Sequence, residues 1–139
     1  MAALTITTTQ VLPAATGVSF DELYAGEVIA PGQAYYLKAS DSKAYLASTA
    51  TAAEAAARGI CVSGALAANQ RMVGQKTGDV TLGAGAAPAV GTPYFVGDAP
   101  GSIVPLADLG AGDFMHFLGW GKAGNKLQLV NSAAGFAHA

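Results

Sequence analysis

The chain has 139 residues, 52% of them hydrophobic and 12% charged, with a formal net charge of −2. Its basic residues (Lys38, Lys43, Arg58, Arg71, Lys76, Lys122, Lys126) are scattered, so no basic stripe exists to track nucleic-acid phosphates. No apolar run approaches the ~18 residues of a membrane helix, because Gly, Pro, Thr and charges interrupt each one. A mean hydropathy of +0.38 with so little charge, against about 25% in average domains, points to apolar surface buried against other protein chains. The length suits one domain.

Residues 1–20 read as an extended N-terminal arm. Leu4 to Phe20 alternate between apolar and Thr-rich positions before Pro13 and Gly17, and Thr, Ile and Val favour extended backbone. Met1 to Thr9 lack a basic n-region and a long apolar stretch, so no secretory signal is expected. Residues 21–139 read as a single β-rich domain of short apolar runs separated by turn residues. Thr51-Ala52-Ala53-Glu54 has capping-box spacing, and Glu54 and Arg58 stand four apart. These predict one short helix from Thr51 to Ala57, ended by Gly59.

An internal repeat organises the rest. Gly32-Gln33-Ala34-Tyr35-Tyr36-Leu37 resembles Gly91-Thr92-Pro93-Tyr94-Phe95-Val96, an offset of about 59 residues, and self-similarity of this kind is a primary fold signal. Polar turns follow both copies, then the apolar strands Ala44–Ala47 and Ile103–Leu106. Gly59–Val62 aligns with Phe117–Trp120, and Asn69–Val73 with Asn125–Leu129. The repeat halves cover about 26–83 and 84–137, with the small residues of 83–91 as the link. The expected fold is all-β: a small β-barrel or β-sandwich with a pseudo-two-fold repeat, one short helix and an extended arm.

Chemical motifs are sparse. Gly119-Trp120-Gly121-Lys122-Ala123-Gly124 matches GxGxxG, but an alternating strand-like segment follows where a dinucleotide site needs a helix. It reads as a hairpin turn. Asp41-Ser42-Lys43-Ala44 is similar to the lysine-bearing hairpin of lipoyl domains, although a lysine in a polar turn is ordinarily just solvated. Cys61 and His116 fall at nearly matching repeat positions, yet a Cys–His nucleophile also needs an orienting group and an oxyanion site. Neither is identifiable. Asp113 and His116, three apart on a strand, point to opposite faces and do not chelate together; His138 adjoins the C-terminus. No catalysis, cofactor or metal is expected. Tyr36, Phe95, Phe117 and Trp120 are candidate subunit-interface residues, because consecutive aromatics such as Tyr35-Tyr36 and Tyr94-Phe95 face opposite sides of a strand.

Ile29-Ala30-Pro31-Gly32-Gln33-Ala34-Tyr35-Tyr36-Leu37, Ser42-Lys43-Ala44-Tyr45-Leu46-Ala47 and Ala57-Arg58-Gly59-Ile60-Cys61-Val62 together resemble the head decoration (capsid cement) proteins of tailed bacteriophages, of lambda type. Thr77-Gly78-Asp79-Val80 adds a similar strand start. The resemblance lies in pattern over about half the chain, and the second repeat departs from the short lambda-type form. It implies a structural homotrimer on the outer surface of the expanded head, bound to the major capsid protein and made in the host bacterial cytoplasm. It also implies an arm that contacts the coat protein, here through Leu4, Thr5, Ile6, Thr7, Thr8 and Val11. The alternative expectation is a low-copy head-fibre or tail-associated structural protein.

Overall fold

A computed structural model describes residues 3–6, 8–13, 18–83 and 85–137, with side chains described through residue 130. Its strands are β1 (Leu12–Pro13), β2 (Phe20–Tyr24), β3 (Ala34–Lys38), β4 (Lys43–Leu46), β5 (Gly59–Ser63), β6 (Arg71–Gln75), β7 (Gly78–Thr81), β8 (Pro93–Val96), β9 (Ile103–Pro105), β10 (Phe114–Lys122) and β11 (Lys126–Ala137). The short helix α1 spans Ala52–Ala55. One sheet has the order β1-β7-β11-β10-β8-β9 and the other β2-β6-β5-β3-β4. The fold is all-β as expected, and of the two architectures anticipated it is the sandwich, not a closed barrel.

Without β1, the two sheet orders are one plan executed twice. The Tyr35–Leu46 and Tyr36–Tyr45 pairs of the first hairpin recur as Tyr94–Pro105 and Phe95–Val104 in the second, so the hairpins keep the offset read from sequence. The third strands do not. Tyr35 pairs with Gly59 and Tyr94 with Gly119, which moves the match of Gly59 from Phe117 to Gly119; a bulge between Phe117 and Gly119 absorbs the difference. The fourth strands correspond through Gln75 and Gln128, which face Ile60 and Trp120, so Asn69 and Asn125 are not equivalent. The loop from Gly64 to Gln70 is longer than the three-residue turn before Lys126, and sequence alignment placed its gap wrongly. Glycine is obligatory at both matched positions: a Cβ on Gly59 would collide with the Gln75 carbonyl, and one on Gly119 with that of Gln128.

Strand alternation sorts the side chains into three apolar clusters. Tyr36, Ile60, Val80, Leu82, Val96, Leu118 and Leu127 fill the space between the sheets. Ile29, Tyr35, Cys61 and Met72 pack on the other face of the β2–β4 sheet. Phe95, Val104 and Leu109 pack with Met115 and Phe117 on the opposite face of the other sheet. Burying each large side chain contributes about 1.5–3 kcal/mol, so these clusters supply the main drive to fold.

The helix is shorter than expected, ending at Ala55 with Ala56 as its C-cap. Its N-cap forms as predicted: Thr51 Oγ1 accepts from the Glu54 amide at 3.1 Å. The expected Glu54–Arg58 pairing gives way to a stronger partner, because Arg58 donates to Asp21 at 2.8 and 3.0 Å. A bidentate carboxylate outcompetes a surface pair of a few tenths of a kcal/mol.

Residues 3–6 lie at one edge of the larger sheet and residues 8–13 reach the other. The Leu4 amide donates to Ile103 O in β9 at 2.9 Å, while Leu12 and Pro13 pair with Thr81 and Val80 of β7. Four inter-strand steps separate β9 from β7, roughly 19 Å at about 4.8 Å each. The eight residue steps from Leu4 to Leu12 reach roughly 26 Å when extended; a 3-10 turn at Thr8–Gln10 takes up the slack. Val11 is buried, and Leu4 and Ile6 pack against the inter-sheet core. Gly32, with φ +91°, brings its loop against Ile6 and leaves no room for a Cβ.

Candidate interaction surfaces

The arm residues divide by face. Leu4, Ile6 and Val11 turn inward onto the chain's own core, whereas Thr5 and Thr8 are exposed; Thr7 lies outside the described residues. Leu12, in β1, is 59% exposed. Sequence alternation indicated which residues share a face, but not whether that face meets this chain or another.

Three of the four candidate interface aromatics meet on one sheet face. The Phe95 and Phe117 ring centroids lie 5.7 Å apart, and Phe117 meets Trp120 edge-on at 5.2 Å. The bulge in β10 is what places Phe117 and Trp120 on the same side. Trp120 stays 43% exposed, while Phe95 is buried. Tyr36 stands apart, buried between the sheets and tilted against Tyr45 at 6.2 Å. Both members of each consecutive aromatic pair are therefore buried by this chain, since the cluster around Tyr35 and the one around Phe95 cover the faces that were open in a simple strand reading.

The chemical motifs resolve individually. GxGxxG spans the end of β10 and the turn into β11, a hairpin as read. Lys43 is half-buried, and its Nζ donates to Asn69 Oδ1 in the loop between β5 and β6 at 2.5 Å, so its ammonium is engaged by that loop. Cys61 is fully buried among Ile29, Tyr35 and Met72, and burial pushes its thiol up to about 12; an activated thiol shifts the other way. His116 is buried on β10, in the other sheet from Cys61. Asp113 precedes β10 and accepts from the Gly110 amide at 2.8 Å. His138 lies outside the described residues. Among the described residues no group of three His, Cys, Asp or Glu could hold a metal, and no helix is long and apolar enough to cross a membrane.

One polar constellation escaped sequence reading. Asp21, in β2 and 8% exposed, accepts from Tyr35 Oη at 3.0 Å and from both Arg58 nitrogens, with Lys76 Nζ at 3.5 Å. Burial alone would raise its carboxyl. The hydrogen bonds from Arg58 and Tyr35 and the charges of Arg58 and Lys76 outweigh that and hold it below the usual carboxylate range. The same burial, with the Asp21 charge, pushes the Tyr35 phenol far up. The four groups come from well-separated sequence positions, which no local motif could signal. They pin β2 to β3, β5 and β6.

No family model, curated protein or solved structure matches the chain.

Proposed function

We propose that this chain is a structural decoration protein of a tailed-phage head, binding the outer surface of the expanded capsid and stabilising it. One observation carries the reading: the three segments that bear the decoration-protein pattern fall on β3, β4 and β5, which are adjacent in one sheet, so the pattern describes a contiguous structural block. The low charge and small-residue composition support it, since a high-copy lattice protein buries much weakly polar surface. In this reading the outward Thr5 and Thr8 and the exposed Leu12 contact the coat protein, while Leu4, Ile6 and Val11 fix the arm to its own subunit. The Phe117–Trp120 ridge supplies the contact between copies of a homotrimer.

The mechanism is mass-action linkage. A ligand that binds only the expanded shell stabilises that state by its binding free energy, about 2.7 kcal/mol per site at a hundredfold excess over Kd. Co-sedimentation of the purified chain with expanded and unexpanded heads tests this. Saturable binding to expanded heads alone, with a higher temperature of DNA release, is the expected result. No binding to either form would overturn it.

A further inference from the structure

The loss of Arg58 to Asp21 leaves Glu54 without the cation that its helical spacing would supply. Its carboxylate accepts from Thr51 Oγ1 at 3.1 Å and forms no ion pair among the described residues. The side chain is half-buried. It lines an open groove of about 610 Å³ between α1 and the end of β3, whose walls include the small side chains of Ala39, Ala53 and Ala56.

A second polar group lines the same groove. Tyr36 is 8% exposed, yet its hydroxyl makes no hydrogen bond among the described residues and keeps access to solvent. Burial, then the charges of Glu54, Glu27 and Asp41, push its phenol up, so three carboxylates stand within electrostatic reach of it. Two of them are already engaged. Asp41 accepts from Tyr45 Oη at 2.6 Å, and that bond, with the charges of Lys43 and Lys38, holds its carboxyl low. The Glu27 carboxylate takes the Leu46 amide at 2.9 Å. Lys38 Nζ lies over the Tyr45 ring, 4.8 Å from its centroid. Three carboxylates against two ammonium groups leave one negative charge, and of the three it is Glu54 that lines the groove.

We propose that this groove receives an arginine side chain of a partner protein, its guanidinium donating to the Glu54 carboxylate and to Tyr36 Oη. Charge complementarity selects a cation. The choice of arginine follows from the two acceptors, which do not bond each other and must be reached separately. A guanidinium carries five N–H donors in a planar fork, whereas an ammonium is a compact, strongly hydrated point charge. The groove exceeds one side chain in volume and is open to solvent, which suits a passing polypeptide better than an enclosed small molecule. Its alanine walls let the partner backbone approach closely. The groove is separate from the arm and from the Trp120 ridge, and the inference does not rest on the phage assignment.

The test titrates the full chain with three blocked peptides, Ala-Gly-Arg-Gly-Ala and its lysine and citrulline counterparts, followed by amide chemical shifts. Citrulline keeps the shape of arginine and removes its charge. The arginine peptide is expected to shift the amides of Ala39, Ala53 and Glu54 saturably and to bind about two- to fivefold tighter than the citrulline peptide, the range of a partly exposed charge pair. Glu54→Gln, which keeps an acceptor for Thr51 Oγ1, should abolish that difference. Tyr36→Phe should weaken arginine binding with little change in stability, because the hydroxyl has no partner to lose among the described residues. No saturable shift with the arginine peptide, or equal binding of the citrulline peptide, would overturn the proposal. Equal binding of the lysine peptide would overturn the choice of arginine. The same shifts on raising protein concentration without peptide would make a second copy the occupant and overturn it too.

Discussion

Replacing Asp21 by alanine is the sharpest perturbation of the fold. The substitution strips the Tyr35 hydroxyl, buried on a residue with no exposed surface, of its acceptor at 3.0 Å. An orphaned buried donor costs about 1–3 kcal/mol. Arg58 and Lys76 keep 38% and 35% of their side-chain surface, so water takes back much of their charge. Their share is discounted to about 0–1 kcal/mol. The expected loss is about 1–4 kcal/mol, read by urea unfolding at neutral pH. A pH series adds an independent signature. Because the folded carboxyl lies below its ordinary 3.8, its contribution is full above that value and disappears as the pH falls from there through the folded pKa. Wild type should therefore lose stability below about pH 4 more steeply than Asp21→Ala. A Tyr35→Phe variant completes a double-mutant cycle, and the pair should be non-additive by at least about 0.5 kcal/mol. A loss under about 0.5 kcal/mol, the range of an ordinary surface change, or identical acid limbs, would refute the reasoning.

The repeat yields a paired test: Gly59→Ala and Gly119→Ala should each cost about 1–3 kcal/mol or more, because each new methyl meets a neighbouring strand's carbonyl. Equal stability to wild type in either variant would break the structural equivalence of the two positions. Thr51→Ala removes the acceptor for the Glu54 amide and should cost about 0.5–2 kcal/mol, checked by the same urea titration. The Cys61 thiol should resist an aromatic disulfide reagent in the native protein and react once unfolded; rapid labelling of the native chain would contradict its burial.

The sequence was most readable where local pattern and tertiary role coincide. Tyr35-Tyr36 and Tyr94-Phe95 announced two copies of one hairpin, and Thr51 with Glu54 announced a helix start, because both signals are complete within a few residues. Reading failed where geometry depends on distant chain. The bulge at Phe117–Gly119 shifted the third-strand match by two residues without any local mark. The inward turn of Leu4, Ile6 and Val11 is identical in pattern to an arm awaiting a partner; only the core beneath them decides it. Asp21 looked like one carboxylate among nine until folding set it beside Tyr35, Arg58 and Lys76. The closure of β4 by the Glu27 side chain and by the bridge from Ala25 to Ala44 is likewise invisible in a linear reading.

The proposed function is tested most directly by counting this chain in purified tailed-phage particles, relative to the major coat protein, by quantitative peptide mass spectrometry. A decoration protein is present in numbers comparable to the coat subunit, and that is the predicted result. Absence from the particle would contradict the account, as would a few copies per particle, the stoichiometry of a fibre or tail component.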